Sequence, residues 1–164
     1  MEREKRMSKR RPLIRTMATL LLGAAMVVAC DSIDCTLYNT VELSCSFYSE
    51  GKAVKLTDTL TVSALGTDSV LANKLVGAST VNLPLSYSQE VDTLVLHVYG
   101  EEYDARDTLW IEKSNTPHFE SPDCPTNMFH QIKSVRHSSV FIDSVTITRS
   151  LVDYDQTENL RIHL

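Results

Sequence analysis

Four cysteines carry most of the latent chemistry in this chain: Cys30, Cys35, Cys45 and Cys124. A thiol can be acylated, paired or used as a nucleophile, and its neighbours decide which. Cys30 closes the run Val27-Val28-Ala29-Cys30. Upstream of it, Arg3, Lys5, Arg6, Lys9, Arg10, Arg11 and Arg15 face only Glu2 and Glu4, and Met17 to Val28 is almost unbroken apolar sequence. A basic stretch followed by a short apolar run is the pattern of an export signal. The run is too short to span a membrane, which takes about 20 apolar residues. The histidines, His97, His118, His130, His137 and His163, fall at no recognised ligand spacing, and Cys-x-x-Cys and His-Glu-x-x-His are both missing from the sequence. It also lacks a Gly-x-Ser-x-Gly elbow and a phosphate-binding glycine loop. The expectation is a protein that is not an enzyme, with no cofactor and no bound metal.

The end of the leader resembles the lipobox of bacterial lipoproteins, with an aliphatic residue three places before the cysteine and a small one just before it. That resemblance implies a diacylglyceryl thioether on Cys30, cleavage after Ala29 and a further fatty-acyl chain, such as palmitate, on the new amino group. Two or more chains anchor stably, because each buried methylene contributes roughly 0.8 kcal/mol. The chain then divides into a signal peptide (1–29), a lipidated tether (30–39) and one domain (40–164). The leader holds 7 of the 16 basic and 2 of the 21 acidic side chains, so residues 30–164 keep 9 and 19, a net charge of −10 over 135 residues. This charge excludes nucleic acid, whose binding needs Lys and Arg against phosphates, and gives no second attachment to anionic lipid.

With Cys30 acylated, an exported chain has three cysteines left in a disulfide-permissive compartment. Cys35 and Cys45 lie at the two ends of one extended segment, roughly 33 Å long at strand rise, and a bridge needs Cα atoms within about 7 Å. Cys124 must therefore pair with Cys35 or Cys45. Cys45 points with the apolar side of its segment, so Cys35–Cys124 is favoured over Cys45–Cys124. Such a bridge closes a loop of about 90 residues, worth roughly 4 kcal/mol in the chain-entropy model.

Other side chains suggest binding. Glu101-Glu102-Tyr103-Asp104 with Asp107, and Asp153-Tyr154-Asp155 with Glu158, group carboxylates as calcium sites do, without the glycine-pivoted loop of the known hands. Solvated turns are the simpler reading. Trp110 and Tyr103 are candidate stacking surfaces for a sugar ring, because Trp110 has the opposite parity to Leu109 and Ile111. A repeat, Asp58-Thr59-Leu60, Asp92-Thr93-Leu94 and Asp107-Thr108-Leu109, has looser copies at Asp68-Ser69-Val70 and Asp143-Ser144-Val145. Asp favours the turn before a strand, Thr suits the strand, and Leu begins the inward series. The same triplet resembles the O-glycosylation sequon of exported Bacteroidota-type proteins, which would place sugar on Thr59, Ser69, Thr93, Thr108 and Ser144.

The elements that must position these residues are strands, because the dominant period is two. Val41, Leu43, Cys45 and Phe47 alternate with polar residues, as do Leu60, Val62 and Ala64, and Leu94, Leu96 and Val98. Further strands are expected at Val81–Tyr87, Leu109–Lys113, Pro117–Glu120, Met128–Val135, Val140–Thr148 and Leu160–Leu164, with turns at 50–51, 66–68, 100–102, 121–123 and 137–139. Roughly seven to nine short strands at this spacing predict an all-β fold, a single antiparallel β-sandwich, immunoglobulin-like in broad class, behind a helical leader.

The lipobox leader, the early Cys35, the Asp-Thr-Leu strands, the segment Pro117-His118-Phe119-Glu120-Ser121-Pro122-Asp123-Cys124 and the closing Asn159-Leu160-Arg161-Ile162-His163-Leu164 together resemble a family of small Bacteroidota-type lipoproteins known only as a domain of unknown function. Where that family has Gly after the late cysteine, this chain has Pro125. The resemblance brings no catalytic residues. The expected role is a lipid-anchored protein of the outer membrane, periplasmic or surface facing, with a structural or assembly-accessory role through contact with another envelope protein. The alternative is a surface module binding glycan or calcium.

Overall fold

Alternating side chains need two faces to cover, and the chain meets that need with two sheets laid against each other. The computed structural model describes residues 40–67, 69–122 and 124–164, all within one compact unit, Cys35–Leu164. The leader 1–29, the tether 30–39, Cys30 and Cys35 lie outside the described residues. Within them there is no helix long and apolar enough to cross a membrane. The strands are β1 (Leu43–Ser49), β2 (Lys52–Ala53), β3 (Thr59–Ala64), β4 (Val70–Leu75), β5 (Thr80–Leu83), β6 (Val91–Tyr99), β7 (Asp104–His118), β8 (Asn127–His137), β9 (Ser144–Ile147), β10 (Leu151–Val152) and β11 (Leu160–His163).

One sheet runs β2-β1-β11-β9, with β5 also on β1; the other runs β10-β8-β7-β6-β3-β4. Each ladder is antiparallel except β1 with β11, where Cys45 lies opposite Leu160 and Tyr48 opposite His163. The fold is thus an all-β sandwich, immunoglobulin-like in the broad sense of two packed sheets, whose first sheet is mixed. Its core joins Leu43, Cys45, Phe47, Leu160 and Ile162 of the first sheet to Leu60, Val62, Leu94, Leu96, Leu109 and Ile111 of the second. Burying each large side chain contributes roughly 1.5–3 kcal/mol. Cys45 is a free thiol with no exposed surface, and burial pushes it up to about 12.

Several expected boundaries move, each for a local reason. The two strands expected at Leu109–Lys113 and Pro117–Glu120 are parts of the single 15-residue β7. Its pairing with β6 ends at Glu112 opposite Val91, while pairing with β8 continues to His118 opposite Asn127. Beyond Lys113 one edge of β7 is therefore open, where Pro117 costs no ladder bond. The strand expected at Val81–Tyr87 is β5, which stops before Pro84. The one expected at Val140–Thr148 shortens to β9, because the amides of residues 140–142 turn elsewhere. Unforeseen β4 lacks alternation. Leu60 pairs with Leu75 and Val62 with Ala72, so two residues of β4 bulge opposite Thr61. Lys74 takes φ 53° there. A bulge bearing a lysine on an outer strand discourages pairing with another chain.

Candidate functional site

Three segments converge at one end of the sandwich and leave a cleft of about 400 Å³ between them. Leu56 and Asp58 come from the approach to β3, Val98 and Tyr103 from β6 and its turn, and Val140, Phe141 and Asp143 from the β8–β9 connection. Val140 is 66% and Tyr103 42% exposed, although both are large and apolar. Neither Lys, Arg nor His is among the described residues lining the cleft. The turn of Tyr103 is closed by Gly100 N–H donating to the Tyr103 carbonyl at 2.7 Å. A Cβ at Gly100 would collide with a carboxylate oxygen of Asp58, so glycine is what lets that carboxylate approach the turn.

The opposite wall is set by Asp107. Its side chain has no exposed surface. The Ser138 hydroxyl donates to one carboxylate oxygen at 2.5 Å, the Phe141 and Ile142 amides donate to the other at 2.7 and 2.8 Å, and the Val140 amide donates to both at 2.9 and 3.0 Å. Burial raises the carboxyl's affinity for a proton, but the Ser138 hydroxyl and the three amides outweigh it and hold the group below the ordinary carboxylate range. One buried anion thus replaces a strand ladder for residues 138–142 and fixes the wall carrying Val140 and Phe141.

The cleft lies away from Thr40. β11 runs parallel to β1, and Leu164, beyond its end, lines the cleft and donates its N–H to the Tyr48 carbonyl at 2.9 Å. The cleft therefore adjoins the C-terminal end of β1. Thr40 precedes the other end, roughly 20 Å away along the strand, and its hydroxyl accepts from Gln156 at 2.7 Å. Near Gln156, the Tyr154 ring meets His118 and Phe129 at 5.7 and 4.9 Å between centroids.

A second polar centre is built around a buried lysine. Lys113 has no exposed surface. Its ammonium donates to the carbonyls of Ser86 and Gln89 and to Asn115 Oδ1 at 2.6–2.7 Å, and approaches Asp92 at 3.3 Å. Asn115 Nδ2 donates to the carbonyls of Tyr87 and Gln89, so its Oδ1 also accepts from His130 Nδ1–H at 2.8 Å. His130 Nε2 is left bare and buried without a partner. Burial, aided by the Lys113 charge, takes this imidazole down to about 4. Asp92 is raised above its ordinary range by burial, which outweighs Lys113 and the Ser86 amide. The network fastens the Ser86–Gln89 turn to β7, with Lys113 and His130 fully buried within it.

The Asp-Thr-Leu repeat has a structural meaning that its sequence only half revealed. Leu60, Leu94 and Leu109 enter the core, while Thr59, Thr93 and Thr108 are half-buried on the outer face. Parity then turns each Asp inward at the rim: Asp107 holds the 138–142 segment, Asp92 holds the Ser86 amide and Lys113, and Asp58 lies close against Gly100. Of the five hydroxyls in sequon context, Ser69 and Ser144 are exposed.

The structure separates the other expected site residues. Trp110 is half-buried on the outer face of the second sheet, with the Arg136 guanidinium 5.6 Å from its ring centre. Tyr103 is in the cleft, seven residues and roughly 20 Å of strand away, so the two do not form one sugar platform. Of the carboxylates proposed for calcium, Asp104 pairs with His97 at 2.9 Å, Asp153 and Asp155 with Arg149, Glu158 with Arg161, and Asp107 is held as above, while Glu101 and Glu102 are exposed. Among the described residues no three His, Cys, Asp or Glu gather as metal ligands. Lys113, Asn115 and His130 were not singled out from the sequence, yet parity carried the signal: Lys113 continues Leu109 and Ile111, and His130 precedes Ile132 by two.

Residues 59–164, the span from β3 to β11, match a family model. The chain belongs to the family of unknown function DUF6452. The DUF6452 span contains Gly100, Tyr103, Asp107 and the whole 138–143 wall, while Leu56 and Asp58 precede it. No curated protein and no solved structure matches the chain significantly.

Proposed function

We propose that this DUF6452 member is an outer-membrane lipoprotein, anchored through acylated Cys30, that offers the end cleft to another envelope protein and performs no catalysis. The observation that carries the reading is the opposition of the two ends: the chain enters the sandwich beside Thr40, and the exposed apolar side chains Val140 and Tyr103 border a cleft at the other end of β1. An anchored domain so arranged presents the cleft away from the lipid. Exposed apolar surface in a built concavity is what partner sites use. The basic leader, short apolar run and Val27-Val28-Ala29-Cys30 support the anchor.

A bridge from Cys124 to Cys35 belongs to the same proposal. It is supported by the burial of Cys45 as a free thiol, which leaves Cys35 as the partner for Cys124 once Cys30 takes lipid in the same proposal. The glycan reading draws less support, because Trp110 and Tyr103 lie apart and Trp110 is covered by Arg136.

The test is photo-crosslinking in native envelopes. A photoreactive residue at Val140 is expected to capture a discrete partner, and the same residue at exposed Lys133 on the outer sheet face is not. Equal capture at both positions, or recovery of the Cys30→Ala protein at wild-type level in washed outer membrane, would overturn the reading.

A further inference from the structure

We propose that the end cleft accepts a lysine or arginine side chain flanked by aliphatic residues, presented by the partner protein; this rests on the partner-docking reading above. The cleft is lined by the apolar side chains of Leu56, Val98 and Phe141, with exposed Val140 at its border, and its charged groups are Asp58 and Asp143 alone among the described lining residues. A long basic side chain matches that composition, because its methylene stem covers apolar surface while its charged head reaches the rim.

Neither rim carboxylate has a basic partner among the described residues. The five ion pairs among the described residues engage His97, Lys113, Arg149 and Arg161, none with Asp58 or Asp143. This is in contrast to Asp104, Asp153, Asp155 and Glu158, each of which has a basic partner. The only side-chain donor to Asp58 among the described bonds is its neighbour, the Thr57 hydroxyl at 3.2 Å. Asp58 is nevertheless positioned, since Gly100 leaves the space into which it projects. Asp143 is likewise fixed through its backbone, whose N–H donates to the His163 carbonyl at 2.8 Å. The wall between them is held by a buried carboxylate, so the concavity exists before anything enters it and little ordering cost falls on binding. An apolar cleft with unpaired negative charge at its rim selects a positively charged, amphipathic occupant and rejects an acidic one.

The experiment uses the mature acylated protein in phosphatidylcholine nanodiscs, with labelled Leu and Val methyls followed by NMR. Three peptides are titrated: acetyl-Leu-Lys-Leu-amide, the same peptide with norleucine for lysine, and the same with glutamate. Saturable shifts are expected at the methyls of Leu56, Val98 and Val140, with the lysine peptide binding about tenfold more tightly than the norleucine one and the glutamate peptide not binding. Asp58→Asn with Asp143→Asn should abolish the lysine preference and leave norleucine binding intact, which also shows the cleft still folded. Gly100→Ala, which displaces Asp58 without removing charge, should reduce the preference in part. Equal binding of lysine and norleucine peptides, or no shift with any peptide, overturns the proposal. If that occurs while Val140 still captures a partner in envelopes, the charge assignment fails and the docking reading stands; if neither is seen, both fail.

Discussion

Replacing Asp107 with asparagine tests the cleft wall at its source. The carboxylate accepts five hydrogen-bond contacts from four donors, three of them backbone amides with no other role in a ladder. Asparagine keeps the shape but offers one acceptor oxygen, and its NH2 group would face N–H donors. With its oxygen where the three amides meet, the Ser138 hydroxyl loses its acceptor and the Val140 amide meets the NH2 group; with the amide turned the other way, the Phe141 and Ile142 amides are orphaned; either way the charge is lost to all four donors. Hydrogen bonds to a charged group are worth about 1.5–3 kcal/mol each, and an orphaned buried donor costs about 1–3 kcal/mol. Val140 borders solvent, so water can relieve part of this cost. We expect Asp107→Asn to destabilise by about 2–4 kcal/mol and Asp107→Ala by slightly more, since alanine adds a cavity. Urea unfolding should show a lower midpoint with unchanged slope. Hydrogen exchange at the amides of Val140, Phe141 and Ile142 should rise well above that of the β6–β7 ladder. A loss under about 0.5 kcal/mol with unchanged exchange at those three amides would refute the assignment of Asp107 as the wall's anchor.

His130 gives the pH dependence: its folded value of about 4 lies below the ordinary 6.5, so the unfolded chain binds the extra proton first and stability falls as pH drops from about 6.5 to about 4, by on the order of 3 kcal/mol. His130→Gln should flatten that part of a urea-midpoint profile, and an unchanged slope would contradict the burial argument. Lys113→Met removes one partner of an enclosed ion pair and leaves Asp92 and two carbonyls behind; a loss of about 3–5 kcal/mol in thermal or urea unfolding is expected. Cys45, buried and pushed up to about 12, should react with a thiol reagent only at the rate of unfolding, whereas prompt labelling at neutral pH would show a breathing core. Cys124→Ser should cost a few kcal/mol, and non-reducing peptide mapping of the exported protein should yield a Cys35–Cys124 peptide; a Cys45–Cys124 peptide would reverse the assignment.

Parity made much of the fold legible. Leu43, Cys45 and Phe47, and Leu94, Leu96 and Val98, are buried as their period of two requires. What parity could not supply was where neighbours stop. The length of β7 depends on β6 ending at Val91, a fact of pairing that Ser114-Asn115-Thr116-Pro117 does not display. Bulges also hide from it. Val135 pairs with Ile111 and Ile132 with Lys113, so both face the core although they are three residues apart, because β8 gains a residue there. The cleft was illegible for a related reason. Its parts lie between positions 56 and 164, and the residue that holds it, Asp107, looks in sequence like a calcium ligand or a turn residue. Only the segment 138–142, part of which reads as the start of a strand, needed those acceptor oxygens.

The parallel pairing of β1 with β11 has a mechanical consequence. If the proposed function holds, a lipid anchor would pull on the chain ahead of Thr40, while a partner seated in the cleft would pull at the other end of the same strand. The load then runs along β1, and its bonds to β5 through Leu43–Ser46 and to β11 through Cys45–Tyr48 lie across that line. Bonds loaded this way are sheared together rather than peeled one after another, so the domain should resist stretching between membrane and partner far better than its modest size suggests, and would serve as a stiff link in a structure under tension.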